Sequence, residues 1–547
     1  MCNSIKINIT EISPLLYQLI FIFSECNYNN VVVHGGDSFE EKNGVETDYA
    51  VEDIQNIEEI QTEEIQWGDL TTWSRIFTPY LEGEPLWLWK VRLKLILGTD
   101  GGYLLSGQQR ARSGFGGFEY FWGIKLNDSW EIVWDKIIKV PEPEDRWFRY
   151  ICEGIIEREN LILHNISSTK DGGYVVAMRS INWTAGNGVL VWLDSDGNIK
   201  KGRIYGTEEN NEWFNSVVAT DDGGFIAVGG TYFVFHSPVL CSLDDPYVEC
   251  WCWVPDIWAI KVDSEGEIVW QKAYANLYLP DSHGLGWANV IIKASDEGYI
   301  IAGFNSMIIK IDENGELIGI GGANIASDLF SVRQTQDGGY VFAGAVCEDA
   351  IYPPYTCNKK MHIFKIDANG KGEWGKVFNS PDNVSGGNIV YDVIPTSDGG
   401  FAAVGCTWSS DNGTLDTVIL KLDSMGNIEW QKIYGSMNHF FIGSTIHETN
   451  DGGYIVGGGY NISDTIGQPT PVYWLMKIDA QGNINGSCPF RVDIESSLSE
   501  QRGGSYGISP NDPPYLYLSS TDTNAQSIPF TPREIQSKTE MTIQCGG

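Results

Sequence analysis

The sequence predicts an all-β fold, a seven-bladed β-propeller spanning residues 70–487, on three observations. A short phrase recurs seven times, a second phrase follows each copy, and the two ends of the repeat array are incomplete in complementary ways. The chain has 547 residues, 62 of them Gly, with 20 Trp, 25 Tyr and 22 Phe. That composition suits many short strands joined by tight turns, with large side chains packed between sheets.

The first phrase is Asp100-Gly101-Gly102-Tyr103, repeated at Asp171, Asp222, Asp296 (with Glu297 in the second place), Asp337, Asp398 and Asp451. Five residues before each Asp stands an apolar residue: Leu95, Ile166, Val217, Ile291, Val332, Val393 and Ile446. Each copy reads as a hairpin, because Asp can accept hydrogen bonds from nearby amides while Gly takes the positive φ of a tight turn. The second phrase is Lys261-Val262-Asp263 with Gly266 and Trp270, or Lys421-Leu422-Asp423 with Gly426 and Trp430, and related copies start at Lys125, Trp192, Lys310, Lys365 and Lys477. It reads as strand, Gly-containing turn, strand, with the Trp opening an outer strand where its ring covers a sheet edge. Two hairpins make one four-stranded blade.

Successive Asp-Gly phrases are 71, 51, 74, 41, 61 and 53 residues apart, so a unit of 41 residues carries insertions, which a propeller blade tolerates. The seventh copy stops at Asn485-Gly486-Ser487 without its outer Trp strand. The missing strand is expected at the other end of the chain, where Trp73-Ser74-Arg75-Ile76-Phe77 matches Trp430-Gln431-Lys432-Ile433-Tyr434. Trp73 to Phe77 should therefore pair with Tyr473 to Ile478 and close the ring, leaving no open edge at the seam.

These phrases resemble secreted bacterial and archaeal propeller proteins with DGGY, KxDxxG and Trp repeats, many without an assigned function. The resemblance covers roughly residues 70–487 and implies the fold, but carries no catalytic residue across. A weaker similarity, in Asp367-Ala368-Asn369-Gly370 followed by Trp374, is to the Trp-containing repeats of quinoprotein dehydrogenases. Those usually have eight blades, and seven are found here.

Outside the repeats, residues 1–30 read as a signal or targeting segment, since Leu15 to Phe23 is an apolar run of signal-peptide length preceded by Lys6. Cys26 follows it, although Glu25 is a poor match to a lipidation signal. Residues 31–69 read as an acidic linker: Asp37 to Glu64 holds eleven acidic residues and one Lys. Residues 488–547 read as a Ser/Thr/Pro-rich extended tail. No run is long enough to span a bilayer as a helix. With 72 acidic against 36 basic residues, a formal charge of −36 repels nucleic acid and anionic lipid.

Eleven cysteines are many for a cytosolic chain and suit an oxidising compartment. Cys347 and Cys357 flank a Pro-rich insertion and are expected to form a loop-closing bridge. Cys241 could pair with Cys250 or with Cys252, and Cys488 with Cys545 would tie the tail to the ring. Cys406 is expected in the core. No metal or cofactor is expected, with calcium as the alternative. The nearest to a calcium loop is Asp194-Ser195-Asp196-Gly197-Asn198, where Asp194 and Asp196 alternate as oxygen ligands, but no Glu follows at the twelfth position and the turn recurs elsewhere with Ala or Met inside it.

For catalysis there is no GxSxG, HExxH or P-loop, and the seven histidines stand in unrelated contexts. Function is instead read from loop lengths. With strands a to d in each blade, the a–b and c–d turns share one face and are short, while the insertions fall on the b–c and d–a face. That face gathers Arg110, Arg146, Trp147, Arg149, Trp251, Trp253, His283, Trp287, Tyr355, Trp408 and His439. Aromatic rings and scarce cations on an acidic protein suit a glycan or protein partner at the cell surface. The reading is a secreted or cell-surface binding or structural module. The alternative is an extracellular enzyme, a quinoprotein-like oxidoreductase or polysaccharide hydrolase or lyase, at the channel mouth on the same face. Close carboxylates there, or a Lys or His with a strongly shifted pKa, would favour the enzyme.

Overall fold

A computed structural model describes residues 72–546 apart from connecting segments at 82–92, 99, 114–115, 140–165, 181–186, 208–211, 232–238, 242–249, 253–254, 277–285, 297, 324–326, 348–358, 380–386, 410–413, 436–440, 464–468, 485–490, 493–498, 503–505, 510–517, 523–525, 531–532 and 536. The chain is a seven-bladed β-propeller. Seven sheets carry the inner strands Leu93–Leu97, Ile166–Ser168, Glu212–Ala219, Ala288–Lys293, Ser327–Gln334, Ile389–Pro395 and Phe441–Glu448, numbered here as blades 1 to 7. The closure expected from the sequence is the one observed: Trp73 pairs with Lys477 and Phe77 with Tyr473, antiparallel, as the fourth strand of blade 7.

The two phrases of the repeat are tied to each other within a blade. In each a–b turn a glycine holds positive φ, as Gly223 does at 88°, where an L side chain would be strained. The turn Asp reaches across to the Lys of strand c: Asp100 to Lys125 at 2.7 Å, Asp222 to Lys261 at 2.7 Å, Asp296 to Lys310 at 2.6 Å, Asp337 to Lys365 at 2.6 Å and Asp398 to Lys421 at 2.8 Å. Asp451 pairs with Lys477 in the same way. Blade 2 has Trp192 in place of the Lys, and there Asp171 turns to Lys200 at 2.9 Å. These pairs are half-exposed on the Asp side, so each contributes modestly; their constancy fixes the angle between the two hairpins.

The outer-strand Trp does more than cover its own sheet. Its indole N–H donates to a carbonyl in the c–d turn of the next blade: Trp134 to Ser195 at 3.1 Å, Trp270 to Glu313 at 2.9 Å, Trp374 to Ser424 at 3.1 Å and Trp430 to Ala480 at 3.1 Å. Its ring lies where the turn glycine's Cβ would be, 2.7 Å from Trp374 for Gly426 and from Trp430 for Gly482. The KxDxxG glycine is thus required twice, by its backbone and by the neighbour that lies on it. Apolar clusters fill the spaces between successive blades, as with Trp374, Val393, Phe401 and Leu420 between blades 5 and 6, and this burial is the main source of cohesion.

The tail takes a form that its composition did not show. Arg491–Val492 adds a fifth strand to blade 6, Ser499–Arg502 to blade 5, Tyr506–Ser509 to blade 4, Leu518–Asp522 to blade 3, Gln526–Phe530 to blade 2 and Arg533–Ile535 to blade 1. Ser537–Gly546 then pairs with Trp73–Leu81 on blade 7. The tail makes one circuit of the ring, against the direction in which the blades were laid down, and covers the outer edge of all seven sheets.

Candidate functional site

Turn lengths divide the two faces. Each a–b and c–d turn, from Gly98–Gly102 to Asp479–Asn483, is five residues long and closes with the same backbone bonds, as in Thr220 N–H to Gly224 O at 2.9 Å. The longer connections all join strand b to strand c, or strand d to the next blade, at the opposite ends of the strands. Of the residues expected there, Arg146, Trp147, Arg149, Trp253, His283, Tyr355 and His439 lie outside the described residues, as do Cys357 and Cys488. Arg110 sits in the long second strand of blade 1, opposite Glu119. Trp251 is central in a small hairpin inserted in blade 3, opposite Leu240; Cys241 there faces Cys250, while Cys252 faces Val239. Cys347 ends a strand opposite Lys359, and Cys545 stands opposite Ser74. Cys406 is buried, its thiol directed at the Gly387 carbonyl.

Two of the expected rings can be placed. Trp287 is half-buried, stacked on Phe304 at 4.6 Å and tilted against Trp213 at 6.3 Å, with its N–H donated to Asn289 Oδ1 at 3.0 Å. Trp408 is half-buried opposite Leu415, beside Gly387. Asp194 and Asp196 belong to an ordinary Asx turn: Asp194 accepts from the amides of Asp196 and Asn198 at 2.9 and 2.8 Å, and from the Asn198 side chain at 3.0 Å. The turn at Asp423 has the same three bonds, so the Asp194 oxygens serve the turn itself.

Around the axis the inner strands are stitched by side chains that the repeat reading passed over. In blades 3 to 7 the ladder shifts register at one position, leaving Asn215, Asn289, Phe330, Tyr391 and Ser444 as the bulged residues. A bulge re-aims its side chain. Asn215 donates to Ala288 O at 2.6 Å, Asn289 to Leu329 O at 2.9 Å, and Ser444 bonds both the amide and the carbonyl of Leu93. In blades 3, 5, 6 and 7 the next residue accepts from an amide of the following blade: Ser216 from Ile291, Ser331 from Val393, Asp392 from Ile446 and Thr445 from Leu95. These bonds satisfy inner-edge backbone groups that no neighbouring strand reaches.

At that second position blade 6 carries Asp392 and blade 1 carries Lys94, where blades 3, 5 and 7 have Ser216, Ser331 and Thr445 and blade 4 has Val290. Asp392 is fully buried. Its Oδ1 accepts from Ser331 Oγ and Arg333 Nη2, both at 2.8 Å, and its Oδ2 from Thr445 Oγ1 and the Ile446 amide, both at 3.4 Å. Lys94 Nζ comes within 3.6 Å of the same Oδ2. Blades 1 and 6 are not neighbours, so Lys94 reaches past blade 7 to meet the Asp392 carboxylate. Burial would raise the Asp392 carboxyl, but Arg333 and Lys94 hold it below the usual carboxylate range. Burial pulls Lys94 down to about 8, with Asp392 opposing and Arg333 adding repulsion. His447 on blade 7 lies below its usual value, mainly through burial, and feels Asp392 and Arg333. It meets Tyr103 edge-on at 6.0 Å, and Tyr103 stacks on Trp130 at 4.2 Å. The signal that could have found these residues is a charge at a repeat position that is uncharged in the other five blades.

No family model matches the chain, and no curated protein matches it. Among solved structures it is similar to a protein of unknown function from Bacteroides caccae, at 14% identity and TM-score 0.30 over 63% of this chain and 93% of that one. It is also similar to the WD40 β-propeller domain of Doa1, at 12% identity and TM-score 0.24 over 58% and 92%. A third is the polysaccharide lyase Uly1, at 10% identity and TM-score 0.30 over 71% and 77%. Their names describe those proteins; the fold of this chain rests on its own seven sheets.

Proposed function

We propose that the chain is a secreted or cell-surface binding module that engages a glycan or a protein through its insertion-bearing face. The observation that carries this reading is the segregation of length: the turns of one face are held at five residues while the other face holds every insertion. Loops anchored on a rigid ring can be shaped to a partner without disturbing the blades. Trp287 and Trp408 are half-buried rings at the start of blade 4 and the end of a blade 6 strand, and stacking of a pyranose or peptide on the uncovered part of an indole is the chemistry such rings offer.

The test is a pull-down and glycan-array screen with the intact chain, followed by Ala variants of Trp287, Trp408, Trp147, Trp251 and Trp253, each measured for melting temperature and affinity. A contacting Trp should cost on the order of 2 kcal/mol of binding with folding kept. Loss of stability in all five with no separate loss of affinity would overturn the reading. A second reading, catalysis inside the axial channel, draws on the shifted Lys94 ammonium beside the buried Asp392. Turnover of a captured glycan would carry it.

A further inference from the structure

We propose a calcium-binding site at the insertion-bearing end of blade 3, where Glu212, Thr231 and Asp256 stand side by side on the blade's first three strands. Its central ligands come from strands rather than loops, so it does not depend on what the insertions of that face bind.

Register brings the three together. Glu212 is opposite Thr231 and Thr231 opposite Asp256, so their side chains leave the same face of the sheet, the one that packs on blade 2. The next layer on this face holds Phe214, Gly229 and Trp258, again directly opposed, and there the rings from strands a and c meet over the glycine, stacked at 4.7 Å. Side chains of the flanking strands thus converge over strand b, and one layer up the same convergence places two carboxylates on either side of the Thr231 hydroxyl. All three residues are buried, and Thr231 Oγ1 has no hydrogen-bond partner. Glu212 accepts from the Thr207 hydroxyl at 2.9 Å and the Thr207 amide at 3.3 Å, one bond on each oxygen, which leaves each a second acceptor site. Gly206 admits a further oxygen: Asn187 Oδ1 and Glu212 Oε2 lie 1.9 and 3.1 Å from where its Cβ would be.

Blade 6 carries the same row with one charge fewer. Thr407 is opposite Asp416, and the place of Glu212 is taken by Asn388, whose Oδ1 accepts from Thr407 Oγ1 at 2.7 Å. The amide satisfies the hydroxyl there. In blade 3 a carboxylate replaces the amide and turns to Thr207 instead, so the row gains a negative charge and keeps an unpartnered hydroxyl. A bound cation answers both. Carboxylates, a hydroxyl and an amide carbonyl, with no nitrogen or sulfur, are ligands for a hard cation, and two carboxylates balance a divalent charge. The irregular array suits calcium, which takes six to eight oxygens at about 2.3–2.6 Å, better than magnesium, which demands octahedral geometry. Without the cation, burial pushes the Glu212 carboxyl up to about 7, so it keeps a proton that calcium displaces on binding.

The experiment is calorimetric titration of the intact, chelator-treated chain with calcium chloride at pH 8, paired with thermal melting. Calcium should bind with a dissociation constant on the order of 10⁻³ M or below, and should raise the melting temperature as it saturates. Glu212→Gln and Asp256→Asn should each lower calcium affinity at least tenfold, and Thr231→Val, which keeps the shape and removes the oxygen, at least threefold. Asp416→Asn in the blade 6 row and Asp194→Asn in the calcium-like turn should leave it unchanged. Magnesium should bind at least tenfold more weakly. If Asp256→Asn fails to fold, Glu212→Gln decides, since an amide already stands at that position in blade 6. Absence of both calcium heat and a melting shift, equal binding of magnesium, or full calcium affinity in folded Glu212→Gln would each overturn the proposal.

Discussion

At the scale of single residues, the seam between blades 7 and 1 offers a direct measurement of strain. Removing a packed indole usually costs about 3 kcal/mol or more. Trp130 occupies a left-handed conformation that costs an L residue about 1–2 kcal/mol, and its site in every other blade suits glycine. Trp130→Gly is therefore expected to cost only about 1–2 kcal/mol, as relief of strain offsets part of the lost packing on Tyr103. Trp374→Ala, in the regular position and buried between blades 5 and 6, should cost about 3 kcal/mol or more; urea midpoints of the two variants check the contrast.

Glu212 provides a second single-residue test. It is buried at the start of the blade 3 inner strand, accepts from Thr207 Oγ1 at 2.9 Å, and burial pushes its carboxyl up to about 7. The folded chain keeps this proton in a range where the unfolded chain, ionising near 4.5, has lost it. Stability from this group is thus full below about pH 4.5 and is lost as pH rises toward 7. Glu212→Gln should melt close to the parent at pH 4 and higher at pH 8, by on the order of 1–3 kcal/mol. Equal melting at pH 8 would show that the carboxyl ionises without penalty. Neither Trp130 nor Glu212 was legible as special in the sequence, because strain and burial depend on what the neighbouring blade brings.

At the scale of elements, the turns were legible and the inner strands were not. Asp, Gly and the following aromatic write their turn chemistry locally, so the hairpins and the strand at Trp73 could be placed by matching residues. The bulges at Asn215, Asn289, Phe330, Tyr391 and Ser444 exist only because the next blade offers carbonyls, amides or a ring to meet them, and no periodicity within one blade encodes that. For the same reason Asp392 and Lys94 looked like ordinary strand residues until strands from blades 5, 6, 7 and 1 came together. Register also separates the two cysteine pairings left open in the blade 3 insertion. Cys241 lies directly opposite Cys250, and Cys252 opposite Val239; directly opposed residues have the Cα spacing a disulfide needs, and a two-residue offset does not. Mass spectrometry of unreduced peptides, from protein produced in an oxidising compartment, should find Cys241 joined to Cys250. A Cys241–Cys252 peptide would mean that the hairpin register is different.

At the scale of the molecule, both chain ends meet on blade 7, where Trp73–Leu81 lies between Pro469–Ile478 and Ser537–Gly546. The amino-terminal strand pairs with a repeat strand and sits inside the sheet, whereas the tail adds only an outermost strand to each blade. Deleting residues 73–81 removes an interior strand and uncouples the tail's longest pairing, so it should unfold the ring cooperatively. Deleting residues 491–547 leaves seven four-stranded blades whose inter-blade clusters are intact, for example the one joining Trp474 and Phe441 to Val404. That variant should stay folded with a lower melting temperature. It would also expose the outer edges of seven sheets, which are templates for pairing with another chain. The expected outcome is a folded far-ultraviolet spectrum with concentration-dependent association by light scattering. Deleting only 537–547 should lower the melting temperature more than removal of any other single tail strand, since that strand spans nine residues of Trp73–Leu81 while the other six tail pairings cover two to five positions each. A monomeric tail-less variant with unchanged melting would show that the circuit contributes neither cohesion nor protection of the edges.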